Sequence, residues 1–180
     1  MTLADLTQRL DDFAQSRTTH AELQEWFGTL LAADALGVER SDSAPWDVAP
    51  DDTRLFWRLV YLFESDEEEI AGEGEESRSG RRRFARRVVD CLASTASAAT
   101  TLEMLPILLD QDRFCAIVAK HARGVISRTG FLSVLAESGY PPHIKLWLEH
   151  AEPAHLERMC DLLGRGEYAE VAAGFEKKPR

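Results

Sequence analysis

The chain of 180 residues carries 21 Lys and Arg against 31 Asp and Glu, a net charge of −10, with 44% apolar and 29% charged residues. That balance belongs to a globular domain long enough to bury a core without disulfides or a metal, and it excludes the collagen-like and disordered classes. No run of about 18 apolar residues is present, which excludes a membrane-spanning helix, and the acidic balance opposes non-specific capture by nucleic acid or anionic lipid.

Apolar spacing is helical nearly throughout. The opening, MTLADLTQRLDDF, places acids where a secretory signal needs a basic flank, so export by that route is not expected. Leu3, Leu6, Leu10 and Phe13 recur every three or four residues behind Thr2, a good N-cap residue. A second helix opens at Thr19, with Glu22 at capping-box distance, carries Leu23, Trp26, Phe27, Leu30 and Leu31, and ends near Gly37. Residues 38–50 hold turn formers without a period and read as a loop containing Trp46. Asp51 and Asp52 suit the positive end of a helix dipole. Leu55, Phe56, Leu59, Val60 and Phe63 then form one stripe, which Trp57, Tyr61 and Leu62 widen. This predicts a helix buried on more than one face, with a buried strand as the alternative for 55–63.

Residues 64–80, ESDEEEIAGEGEESRSG, read as a flexible acidic loop, because charge and glycine leave little to bury. A helix restarts near Arg81, with Phe84, Val88, Cys91 and Leu92 on one face. Arg82 and Arg86 stand four apart, as do Arg83 and Arg87. Such like-charge neighbours destabilise a helix unless acids or a ligand sit between them. After a small polar linker over 94–100, Thr100 and Glu103 have capping-box spacing, which places Pro106 in the first turns of the next helix. Short helices are predicted at 112–122, 130–138, 142–150, 154–163 and 167–175, and residues 176–180 form a solvated tail. The stretch 129–151, TGFLSVLAESGYPPHIKLWLEHA, resembles an ankyrin-type helix pair at Gly139, Ile144, Lys145, Leu146 and Leu148. Its first helix is one residue longer than that pattern, the Pro-Leu-His start is missing, and no second copy lies roughly 33 residues away. The chain therefore reads as a single all-α domain, an irregular stack of about 8–10 short helices, either helical-repeat-like (α-solenoid-like) or an orthogonal bundle.

Cys91, Cys115 and Cys160 are widely spaced and lack a CxxC pair, so they read as free thiols in a reducing cytoplasm. His150, Glu152, His155 and Cys160 can be drawn as a ligand set. Pro153 interrupts them, however, and no HExxH is present, so no metal is assigned and the histidines are expected at helix ends. Cys115 and His121 would stand about 240° apart on one helix and cannot pair there. GxSxG, GxxxxGK[ST] and GxGxxG are absent. Asp11–Asp12, Asp51–Asp52 and Asp110–Asp112 lie near helix ends, where capping accounts for the latter two. No cofactor and no catalytic residue is assigned, and the chain reads as a non-enzyme.

The charge is strongly polarised over 64–87, where eight acids precede Arg78, Arg81, Arg82, Arg83, Arg86 and Arg87. The leading functional reading is a non-catalytic, cytoplasmic protein-binding module of the immunity-protein, chaperone or adaptor kind, an analogy of size, charge and helix content. Its partner would be another protein, a basic one if the acids make the contact. The candidate contact residues are Glu67, Glu68, Glu69, Glu73, Glu75 and Glu76, with Trp46 and Trp147 as aromatic anchors. The alternative is nucleic-acid binding through phosphate contacts from Arg81, Arg82, Arg83, Arg86 and Arg87. A third reading is an enzyme whose site is assembled from distant residues.

Overall fold

A computed structural model of the chain describes residues 2–37, 50–64 and 75–176. Every regular element among these residues is helical: α1 (Leu3–Ala14), α2 (His20–Gly37), α3 (Asp51–Glu64), α4 (Glu75–Thr95), α5 (Ala98–Leu109), α6 (Gln111–Ala122), α7 (Arg128–Glu137), α8 (Pro142–His150), α9 (Pro153–Arg165) and α10 (Tyr168–Glu176). They form two compact units, Met1–Val89 and Asp90–Arg180. The division falls within α4, whose Phe84, Ala85 and Val88 are buried in the first unit and whose Cys91 is buried in the second.

In the first unit the helix starts follow from local chemistry. Asp5 N–H donates to Thr2 Oγ1 (3.3 Å) while Thr2 N–H donates to Asp5 Oδ2 (2.8 Å), a complete capping box. Thr19 and Glu22 exchange the same pair of bonds at 2.8 and 3.2 Å. Backbone hydrogen bonds from Thr2 and Thr19 are the chief reason that the Asp5 and Glu22 carboxyls lie below the usual carboxylate range. α1, α2 and α3 pack on one another. Leu55, Leu59 and Phe63, four apart along α3, are all fully buried, which is helical spacing and not the alternation of a strand. Phe63 is the hub. Its ring meets Phe13 of α1 edge-on at 6.3 Å, Phe27 of α2 at 6.3 Å and Phe84 of α4 in a stack at 5.2 Å.

Two expectations for this unit change. α3 is buried along one broad face only: Trp57 is half-buried and Tyr61, one turn on, is 43% exposed. α4 begins at Glu75, six residues ahead of Arg81, so the helix takes in part of the stretch read as a loop. Two acids in its first turn favour the positive end of the dipole, and Ser and Arg propagate a helix well enough to carry it on.

In the second unit, Ser97 Oγ accepts from Thr100 N–H at 3.2 Å and caps α5, in place of the Thr100–Glu103 box. The helix therefore starts at Ala98, and Pro106 falls in its third turn, deeper than expected. A proline there supplies no N–H to the preceding turn. Ser127 caps α7 by accepting from Gly130 N–H at 3.1 Å, and prolines occupy the first positions of α8 and α9. α9 stops at Gly166, whose φ of +73° is left-handed, with Glu167 N–H bonded back to Leu162 O at 3.0 Å. Consecutive helices pack from α5 to α8, and α7 and α8 form the expected helix pair. The most extensive pairing, though, joins α6 to α9, and α10 packs on both α8 and α9. α6 thus packs on a helix three places further along the chain, and the unit is an irregular stack of short helices.

Gln111, at the start of α6, is 7% exposed; its Nε2 donates to Leu163 O at 3.1 Å, while its Oε1 is buried without a hydrogen-bond partner. Leu163 O also accepts from Gly166 N–H, so losing the glutamine does not orphan it. An unsatisfied buried acceptor costs about 1–3 kcal/mol, at least as much as one amide bond contributes. Gln111→Met, similar in volume, is therefore expected to leave the thermal midpoint unchanged or to raise it. A fall of more than about 5 °C in a calorimetric scan would mean that the Leu163 bond dominates.

Candidate functional site

Five of the six arginines of α4, Arg81, Arg82, Arg83, Arg86 and Arg87, divide by partner. Arg81 is 6% exposed and its Nη1 donates to His20 Nε2 at 2.5 Å. A guanidinium cannot accept, so His20 Nε2 carries the lone pair in this contact. Arg82 lies over the Phe13 ring, 5.7 Å from its centroid, and its Nε is buried without a hydrogen-bond partner. Arg86 Nη1 pairs with Asp11 at 3.0 Å. Arg83 is exposed and donates to Ser79 Oγ at 2.8 Å, and Arg87 is half-buried. Arg81, Arg82 and Arg86 are thus turned against α1 and the start of α2.

Among the described residues, one acid facing this row is Asp11, 75 residues from Arg86. Arg17 closes the network, reaching Asp11 at 2.8 Å and Asp12 at 2.6 Å. The Asp11 carboxyl is held below its usual range mainly by the Gln15 side-chain amide, then by Arg17 and Arg86. Asp12 is held down mainly by its bond from Arg17. These pairs are solvent-exposed in part, and such pairs contribute little each; their consequence is to neutralise Arg86 and Arg17 locally.

Trp46, Glu67, Glu68, Glu69 and Glu73 lie outside the described residues, as do the side chains of Glu75 and Glu76, whose backbones form the first turn of α4. Trp147 is half-buried, edge-on against Phe175 of α10 at 5.3 Å, beside Leu146, which is 57% exposed. Sequence reasoning missed the outward turn of Trp57 and Tyr61, whose rings stand 6.5 Å apart on α3. Their four-residue spacing was the available signal.

The remaining titratable groups have structural surroundings. His121 stacks on Phe131 at 4.7 Å and its Nδ1 faces Ile126 O at 3.3 Å. His143 approaches Glu103 at 3.4 Å. Asp110 occupies the N-cap position of α6 without making a side-chain cap bond, contrary to the capping role expected for it; burial raises its carboxyl. Burial pushes the Cys91 thiol up to about 11. Among the described residues, no group of three or more His, Cys, Asp and Glu is gathered as a metal site, so His150, Glu152, His155 and Cys160 are not brought together as one. No described helix is long and apolar enough to cross a membrane. No protein-family model, curated protein or solved structure matches the chain.

Proposed function

We propose that the chain is a non-catalytic helical module that works inside the cell without a cofactor and binds a basic protein through its acidic surface. The observation that carries this reading is the engagement of Arg81, Arg82 and Arg86 with α1 and α2. Three arginines of the chain's densest block of positive charge are tied into its own fold, while the net charge stays at −10. Such a field draws in cationic partners and slows the approach of polyanions. An immunity-type or adaptor role fits this size and charge.

A second reading, phosphate binding along α4, draws on exposed Arg83 and on the buried, unpartnered Nε of Arg82. Affinity capture from host lysate, with and without nuclease and with mass spectrometric identification, separates the two. A stoichiometric protein of basic isoelectric point that survives nuclease is the expected result. Recovery abolished by nuclease, and by Arg83→Glu, would move the active surface to α4. Capture of nothing in either arm would count against both readings.

A further inference from the structure

We infer that Cys115 and Cys160 form a redox site, a dithiol that low-molecular-weight disulfides convert to an internal disulfide joining α6 to α9. The helix register places them together. The Gln111 side chain at the start of α6 reaches Leu163 O near the end of α9, and the two helices form the most extensive pairing in the unit, so they run antiparallel. One turn onward from Gln111 is Cys115; three residues back from Leu163 is Cys160. These steps cover about 6 and about 4.5 Å along the axes, which brings the two cysteines to nearly the same level of the helix pair. The two thiols lie within interaction range of each other.

Accessibility separates this pair from the third cysteine. Cys115 and Cys160 are half-buried, whereas Cys91 is buried and bonded by Thr101 Oγ1 at 3.7 Å. Tyr140, packed edge-on against Phe114 at 5.9 Å, stands close enough to feel both thiols, together with Asp110 and Arg113. On α9 the nearby charges are Glu157 and Asp161. The side-chain contact with Cys115, then burial, raises the Cys160 thiol.

The exchange balances with a small disulfide such as oxidised glutathione as the oxidant. The Cys115 thiolate attacks one glutathione sulfur; a mixed disulfide forms and one glutathione thiolate leaves with the electron pair. The Cys160 sulfur, giving up its proton to that thiolate, then attacks the Cys115 sulfur and expels the second glutathione. The Cys115 proton, released to solvent when its thiolate forms, is taken up by the second glutathione thiolate, so two cysteine thiols are oxidised, one external disulfide is reduced and both protons end on glutathione.

The test is oxidation of the folded full-length protein with oxidised glutathione at about pH 8, followed by intact mass, thiol counting after denaturation and tryptic mapping. The expected product has lost two hydrogens, retains Cys91 as its one free thiol, and gives a linked peptide pair of residues 114–120 and 159–165. Reduction with dithiothreitol should restore all three thiols. In C115S and C160S the internal link should vanish and the remaining partner should carry at most a glutathione adduct. Three free thiols remaining in the wild type, stable glutathione adducts in place of the link, or covalent dimers would each overturn the proposal.

Discussion

Phe63→Ala is expected to lower the unfolding free energy of the first unit by about 3–5 kcal/mol, the range for deleting a fully buried phenylalanine. The top of that range applies because three helices meet on this one ring. Phe13, Phe27 and Phe84 contact it from α1, α2 and α4 at centroid distances of 6.3, 6.3 and 5.2 Å. Removing it opens a cavity lined by rigid rings, which relax poorly, and it also forfeits the edge-on and stacked contacts, worth about 0.5–1.5 kcal/mol each beyond their area. Urea unfolding followed by tryptophan fluorescence in a Trp147→Phe background would report Trp26, Trp46 and Trp57, all within residues 1–89. Tyr61→Ala, at a position 43% exposed on the same helix, should change stability by no more than about 0.5 kcal/mol. A loss below about 1 kcal/mol for Phe63→Ala would show that the aromatic cluster is not the hub of the unit.

Association with a basic protein partner is expected to slow by about 10- to 1,000-fold between low and high salt, with dissociation much less affected. The sign follows from the charge of −10. The steepness follows from screening, because the Debye length falls from about 30 Å at 0.01 M to about 3 Å at 1 M ionic strength. Stopped-flow association across that salt range checks it. A rate independent of salt would remove the electrostatic form of the proposed function and leave recognition to apolar anchors such as Trp147 and its exposed neighbour Leu146.

Helical class, helix starts and core stripes were readable from the sequence because each rests on residues within one or two turns. The Thr2–Asp5 and Thr19–Glu22 boxes form wherever those residues open a helix, and the spacing of Leu55, Leu59 and Phe63 requires one buried face. Local reading failed where two local signals compete. Ser97 outcompeted Thr100 as the cap of α5, and the acidic stretch before Arg81 turned helical from Glu75 onward.

The candidate sites were decided by tertiary structure. A run of arginines shows its charge in the sequence but not its counter-charges. Only the packing of α4 on α1 and α2 supplied Asp11, Phe13 and His20, at separations of up to 75 residues. Cys115 and Cys160 share no motif, and their adjacency comes from the antiparallel register of α6 on α9. Periodicity states that a helix face is buried, and it is silent on which helix buries it. Ion pairs and thiol contacts need a chosen partner within a few ångströms, so they emerge only when the helices dock.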